Sequence, residues 1–305
     1  MKKATLIYNP VAGRNPPKRE RQIREACEVL KRAGIDAKLA RTVGPGSATI
    51  LGRVAAAEGD GLVIACGGDG TINEVINGIS PGRMILGILP GGTANIIANE
   101  LKLPHNPIDA ARQLPSWKPR RIGLGYAAGR SISSANSPET IHRYFLSVAG
   151  VGYDAYVIHR LTFDFKMSLG VAAYLLEGAK QVMHYSFPVL TCRTDGREIA
   201  ATFAVVQRTS RYAGWFRTAP SQSIIKPHFG VSLYKSRRRL RYFLYGAAVV
   251  TQRNLRDVER LESRKVDFSA EDFEKDVYFE LDGELAGVLP VSFEVTPDAL
   301  SLLMP

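Results

Sequence analysis

The 305-residue chain has little cysteine. Cys27, Cys66 and Cys192 are too few and too scattered for a disulfide framework or a cysteine-built zinc site. They suit core positions, and a reducing interior is the simplest compartment for them. No apolar run reaches the roughly 18 residues that a spanning helix needs. The longest, residues 242–250, covers about half that length. The N-terminal apolar stretch that ends at Asn9-Pro10 is too short for a secretory signal, and no small-residue cleavage site follows it. Several catalytic signatures are also missing. Without G-x-x-x-x-G-K-[ST], or G-x-G-x-x-G after a strand, the chain is neither an ordinary P-loop protein nor an obvious Rossmann oxidoreductase. A His-x-Glu deaminase pattern and a Gly-x-Ser-x-Gly elbow are absent too. Internal repeats and low-complexity segments do not occur.

What is there is globular. Hydrophobic residues make up 45% and charged residues 23%, which excludes a disordered chain. The length allows one large domain or two ordinary ones. Lysine and arginine exceed the acidic residues by 11, a surplus that favours nucleotides, nucleic acid or an acidic membrane face as partners. Nucleic acid is not expected, because no stacking aromatics line a recognisable RNA or DNA module.

Over the first 125 residues strand and helix alternate. Apolar runs at 4–8, 37–40, 62–66 and 85–89 have strand length. A helix over 18–33 places Ile23, Ala26, Cys27 and Leu30 on one face and ends at Gly34. Ser47 is expected to cap a second helix, with Ile50, Leu51, Val54 and Ala55 along one side. A third carries Ile72, Val75, Ile76 and Ile79, and another begins near residue 96. Such alternation predicts a parallel sheet covered by helices on both faces. After residues 118–119 short strand-like runs recur at 143–148, 188–192, 199–206, 230–234, 277–281 and 291–295. Gly, Pro and Asp turns between them predict antiparallel β structure, with helices over 169–183 and 240–250.

Three of the parallel strands end in glycine-bearing turns. These are Asn9-Pro10-Val11-Ala12-Gly13, Gly67-Gly68-Asp69-Gly70-Thr71 and Pro90-Gly91-Gly92-Thr93-Ala94-Asn95. In an open α/β sheet ligands bind at the carboxyl ends of the strands. Glycine lets backbone N–H groups approach a phosphate, and the following helix start adds unpaired donors and the positive end of its dipole. Thr71 and Thr93 can donate to phosphate oxygens. Asp69 would repel a phosphate, so its carboxylate makes more sense on Mg²⁺ or facing a substrate hydroxyl. One such loop is often only a tight turn, with Asp69 as a helix cap; three on one edge point to a nucleotide site.

These three motifs, the second extended through Ile72, Asn73 and Glu74, resemble the catalytic domain of diacylglycerol and sphingosine kinases. The glycine-aspartate motif alone is also similar to NAD kinases and phosphofructokinases; the first and third narrow the match to lipid kinases. Ala149-Gly150-Val151-Gly152-Tyr153-Asp154-Ala155 looks like the family's entry into its β domain, residues 166–174 like a helical family segment, and Asp282-Gly283-Glu284 like its late acidic motif. The resemblance implies an NAD kinase-like α/β nucleotide-binding domain over 1–125 and a lipid-binding antiparallel β-sandwich over 126–292. ATP would lie in the cleft between them, and residues 293–305 would return to the first domain. It assigns Asn9, Pro10, Val11, Ala12, Gly13, Thr42, Gly67, Gly68, Asp69, Gly70, Thr71, Ile72, Asn73 and Thr93 to the nucleotide. Glu284 becomes the proton acceptor, with Asp282 and Asp69 near the metal and the reacting hydroxyl. The implied reaction moves the γ-phosphate of ATP, with Mg²⁺, to a lipid hydroxyl, most simply that of diacylglycerol. Other lipid acceptors, an NAD or sugar kinase, and an inactive nucleotide- or lipid-binding regulator are the competing readings. A homodimer is compatible with the family.

Two features depart from motif matching. Bacterial members typically carry acidic residues after an Ala-Pro element, where a structural Mg²⁺ binds. Here Ala219-Pro220 leads to Lys226-Pro227-His228, so that metal site is not expected, and Lys226 is the candidate to stand in for the ion. Lys235, Arg237, Arg238, Arg239 and Arg241, ahead of an apolar stretch, form a basic cluster that could dock a cytoplasmic enzyme peripherally on anionic phospholipid. The plainer reading is a solvated turn before a core helix. Likewise Asp282-Gly283 also reads as a two-residue hairpin turn that aims Glu284.

Overall fold

The structure is a computed structural model. It describes residues 2–13, 16–59, 61–132, 139–161, 171–212, 216–251, 253, 255–270 and 276–305. Residues 166–170 of the expected helical family segment lie outside these. The chain divides into two compact units, Met1–Leu124 with Pro297–Pro305, and Gly125–Thr296.

In the first unit β1 (Lys2–Tyr8), β2 (Ile35–Arg41), β3 (Leu62–Gly67) and β4 (Ile85–Pro90) form a parallel sheet in the order β2–β1–β3–β4. Ser301 and Leu302 pair in parallel beside β4. Every residue of β3 is buried, as a strand covered on both faces must be. Helix α1 (Pro16–Arg32) buries Ile23, Ala26 and Leu30. Helices α2 (Ser47–Glu58) and α3 (Asp69–Ile79) pack on each other. Short helices α4 (Ile96–Glu100) and α5 (Pro107–Gln113) follow β4.

Two expectations for α2 fail. Its N-cap is Gly46, in the left-handed region at φ 80°, not Ser47. The Ser47 hydroxyl instead accepts the Val43 and Gly44 N–H groups at 3.1 and 3.3 Å and closes the preceding turn. The buried residues are Ala48, Gly52 and Ala55, whereas Ile50 is 61% exposed. Close approach to α3 selects small side chains, so the bulky stripe turns outward.

The second unit contains β5 (Lys118–Ser131) from Gly125 onward, β6 (Thr140–Phe145), β7 (Val148–Gly152), β8 (Leu190–Thr194), β9 (Arg197–Ala201) and β10 (Phe203–Gln207). A small ribbon of β11 (Arg211–Tyr212) and β12 (Phe216–Arg217) precedes β13 (Phe229–Tyr234). Then come β14 (Val258–Ser263), β15 (Lys265–Ala270), β16 (Tyr278–Leu281) and the long β17 (Glu284–Met304). Antiparallel pairing runs β14–β13–β10–β7–β16–β17, and β15 links β17 to β8 and β9. Alternation along each strand builds two cores. Ala149, Val151, Ala204 and Val206 face one with Phe145, Phe229, Phe279 and Phe293. Val148, Phe203 and Val205 face the other with Tyr185, Phe187, Tyr242 and Tyr245.

Expected strand 199–206 is two strands. The chain turns at Thr202, whose hydroxyl bonds to the Tyr234 and Ser236 carbonyls at 2.9 and 3.0 Å. Expected strand 143–148 breaks at residues 146–147, for a reason given below. Strands β14 and β15 and helix α6 (Tyr153–Arg160) lie outside the sequence expectations, because half-buried polar alternation and a helix of only eight residues give weak patterns.

Candidate functional site

The parallel register brings the strand ends level. Tyr8 is opposite Arg41 and Cys66, and Gly67 is opposite Pro90. The segments after β1, β2, β3 and β4 therefore leave the same sheet edge. Connections from β1 and β3 run to opposite sides of the sheet, which makes the gap between those two strands its topological switch point.

The glycine loops are built against one another, backbone on backbone. Gly91 N–H donates to the Gly67 carbonyl at 2.8 Å. A Cβ on Gly92 would overlap the Cα of Gly68, and one on Gly67 would stand 2.6 Å from the Thr71 hydroxyl oxygen. Side chains are thus excluded at Gly67, Gly68 and Gly92, and no side chain caps the start of α3. Asn9 caps its own loop: its Oδ1 accepts Val11 N–H at 3.0 Å, and its Nδ2 lies 3.4 Å from the Thr71 hydroxyl. Asn95, at φ 47°, closes the third loop by two 2.9 Å bonds with Gly92. Gly68 is the N-cap of α3 and Asp69 its first residue. Asp69 Oδ1 is 3.4 Å from the Ile97 amide, at the start of α4.

Thr42 is buried beside Tyr8, whose carbonyl accepts its N–H at 2.9 Å. The following turn is tied to α3 by Glu74, whose carboxylate accepts Gly46 and Ala48 N–H at 2.8 and 3.0 Å. Ile72 and Asn73 are buried in α3, while Thr93 is exposed.

Arg19 was not anticipated. Its buried guanidinium donates to the Ala12 carbonyl at 3.1 and 3.3 Å and to the Gly91 carbonyl, clamping the first loop to the third. Its position at the i, i+4, i+7 spacing with Ile23 and Ala26, a cation inside an apolar stripe, is the signal that marks it.

Asp282 and Glu284 belong to the second unit. Asp282 and Gly283, at φ 51° and 84°, form a two-residue hairpin turn between β16 and β17. The Asp282 carboxylate accepts three main-chain donors, Leu146 N–H at 2.9 Å, Ser147 at 2.7 Å and Val148 at 3.0 Å. That nest is what breaks the chain between β6 and β7. The turn presents Glu284 half-exposed, with its Oε2 held at 2.5 Å by Nη2 of Arg143 on β6. Arg143 lies 141 residues away in sequence and carries no local signal.

At the end of β7, Asp154 is buried and receives hydrogen bonds from the Tyr174 and Tyr212 hydroxyls. Loss of solvent pushes its carboxyl pKa up, against the hydrogen bonds that lower it.

The loop after Ala219-Pro220 is organised differently from the expectation. Lys226 does not stand in for an ion; its ammonium lies 3.4 Å from Glu262, near the surface. Arg208 fills the interior. Its fully buried guanidinium donates to the carbonyls of Ile224, Lys226 and His228 at 2.7, 2.6 and 3.1 Å. Burial pushes its pKa down to about 10, still cationic at neutral pH. The Arg208 guanidinium thus occupies three carbonyl oxygens of this loop, and these three acceptors include no carboxylate.

Comparison with known proteins agrees with this architecture. The diacylglycerol kinase catalytic domain model matches residues 3–127, and the YegS C-terminal NAD kinase beta sandwich-like domain model matches 147–304. A Bacillus subtilis (strain 168) protein named diacylglycerol kinase is 27% identical, covering 100% of this chain and 97% of the relative. A Bacillus anthracis str. Sterne crystal structure, described as a provisional diacylglycerol kinase, superposes with TM-score 0.79 at 21% identity, covering 100% of this chain and 95% of that one. Yeast NADH kinase complexed with NADH superposes at TM-score 0.52 and 11% identity, covering 100% and 84%; at such identities the likeness is one of fold. A diacylglycerol kinase catalytic domain followed by a YegS-type β-sandwich, together with relatives named diacylglycerol kinase along the whole chain, places this chain in the diacylglycerol kinase-like family of lipid kinases.

Proposed function

We propose that the protein transfers the γ-phosphate of ATP to the primary hydroxyl of diacylglycerol, giving phosphatidic acid. The observation that carries the nucleotide half is the edge where three glycine loops are packed main chain to main chain by Arg19. Such an edge offers N–H donors and a helix N-terminus, and nothing bulky, to a chain of phosphates. The acceptor half rests on relatives named diacylglycerol kinase, and a sphingoid base or another lipid alcohol is the alternative acceptor.

In this reading residues 9–13, Thr42, 67–73 and Thr93 hold the nucleotide. The lipid hydroxyl oxygen attacks the γ-phosphorus as the bond to the bridging β–γ oxygen breaks, and ADP leaves with that electron pair. The hydroxyl proton passes to the Glu284 carboxylate, which Arg143 orients. Asp282, with both oxygens bound to main-chain amides, sets the turn and so positions Glu284. Mg²⁺ is usually bound by one or two carboxylates together with the nucleotide's own phosphates. Asp69, a single carboxylate at the phosphate edge, fits that pattern and is the residue that would hold it. The ion would offset charge building on the transferred group.

The test is transfer of labelled γ-phosphate from ATP into defined lipids in mixed micelles, with Asp69→Ala and Glu284→Ala alongside. Label in diacylglycerol, lost in both variants, supports the reading. Label in a different lipid replaces the acceptor, and no label despite ATP binding favours a regulator.

A further inference from the structure

The helix Arg239–Thr251 has two unlike faces. Tyr242 and Tyr245 turn inward to the aromatic core, and Tyr245 donates to Asp257, which also pairs with Arg241 at 2.7 Å. The opposite face is apolar and open to solvent. Leu240 is 77% exposed, Phe243 43%, Leu244 52% and Val250 51%, with exposed Ala247 between them. These positions recur at i, i+3, i+4, i+7 and i+10, so they form one continuous stripe. A helix on a soluble surface normally carries charge there. This one has no acidic residue at all, and its only charges are Arg239 and Arg241 at its start.

The charges at that end are of the wrong sign for the helix alone. Arginine in a first turn opposes the positive end of the dipole. Arg237, Arg238 and Arg239 are all exposed there, and no carboxylate among the described residues pairs with them. Three cations at a helix N-terminus next to an outward apolar stripe match a surface that is anionic at its rim and apolar beneath, as a lipid leaflet is. Thirteen residues make a helix of about 20 Å. That is too short to span a bilayer and suited to lying in its interface. Beside it, Tyr245, Ala248 and Val249 wall a cavity of about 290 Å³ that Arg217, Arg253, Arg260 and Glu262 also line, so the surroundings are net cationic as well.

We infer that the helix Arg239–Thr251 is the element by which this protein docks on an anionic lipid leaflet, with Leu240, Phe243, Leu244 and Val250 entering the acyl boundary and Arg237, Arg238 and Arg239 meeting the phosphates. This docking rests on the helix alone and is independent of which lipid is phosphorylated. A protein partner or a second copy of the chain would need carboxylates opposite the arginines.

The probe is Phe243→Trp in the full-length protein, mixed with phosphatidylcholine vesicles with or without phosphatidylglycerol and with brominated acyl chains. Quenching and a blue shift are expected only with the anionic vesicles. Partitioning measured by flotation should fall about 100-fold when Arg237, Arg238 and Arg239 are reversed to Glu. Leu244→Glu should abolish the quenching, while ATP binding stays at wild-type level because neither change touches the nucleotide edge. Absence of quenching, or unchanged flotation in both variants, overturns the proposal. So does a concentration-dependent dimer, broken by Leu244→Glu, that leaves vesicle binding intact. Loss of micellar turnover in the unmodified protein would count against the proposed reaction and leave the flotation result standing.

Discussion

The two units build their functional groups by opposite means. The first presents glycine loops packed main chain against main chain around the start of α3, which no side chain caps. The second presents one half-exposed carboxylate, Glu284, aimed by a turn whose own Asp282 is bound by amides at the break between β6 and β7. A phosphate chain carries many oxygens and is met by many weak, fixed donors. A single hydroxyl proton is met by one group in one place. The same contrast governs the counter-charges. Arg19 and Arg208 are both buried guanidiniums on main-chain carbonyls, the first joining two glycine loops and the second holding one loop closed.

If this division is right, damage in the second unit should lower rate without lowering nucleotide affinity. Glu284→Ala is expected to reduce kcat by about 1,000-fold with ATP binding unchanged by titration calorimetry. A matching loss of affinity would break the contrast. In the first unit, Gly92→Val forces a side chain into the Gly68 backbone. Turnover should fall about 100-fold, and nucleotide affinity should fall with it.

The next effects are on stability. Arg208→Met leaves three carbonyls without their cationic donor and should cost about 3 kcal/mol in urea unfolding. Chelator should leave the midpoint of the unaltered protein where it is, because the guanidinium performs the loop closure. Asp282→Ala, which frees three amides, should cost about 2 kcal/mol and lower kcat through the misplaced Glu284.

The smallest effect concerns pH. Hydrogen bonds from Arg241 and then Tyr245 hold the Asp257 carboxyl down to about 2. A depressed carboxylate stabilises the fold fully above its unfolded value, about 3.9, and loses that contribution as pH falls through the folded value. Asp257→Asn should therefore cost less than about 1 kcal/mol at pH 7, because the pair is about one-third exposed to screening solvent, and nothing once the pH is well below 2. Thermal unfolding of both proteins across that range is the measurement.

Legibility in the sequence followed the range of the interactions. The three loops were readable because each is a contiguous motif and because three glycine turns fall at the ends of parallel strands on one sheet edge. Asp282-Gly283 was readable as a turn from two adjacent residues. Helix α2 was misjudged because hydrophobicity does not encode how closely another helix approaches, and the small residues Ala48, Gly52 and Ala55 took the interior. The strand over 199–206 was drawn too long because its break at Thr202 comes from carbonyls 32 and 34 residues away.

By itself, then, the sequence determined the order of elements, the class of fold and the family, since these rest on local periodicity and contiguous motifs. Tertiary structure alone decided that Arg143 faces Glu284, that Arg208 rather than Lys226 closes its loop, and that the apolar stripe of helix Arg239–Thr251 points outward. Each depends on groups far apart in the chain, and a side chain's partner is set by where the fold brings it, not by its neighbours in sequence.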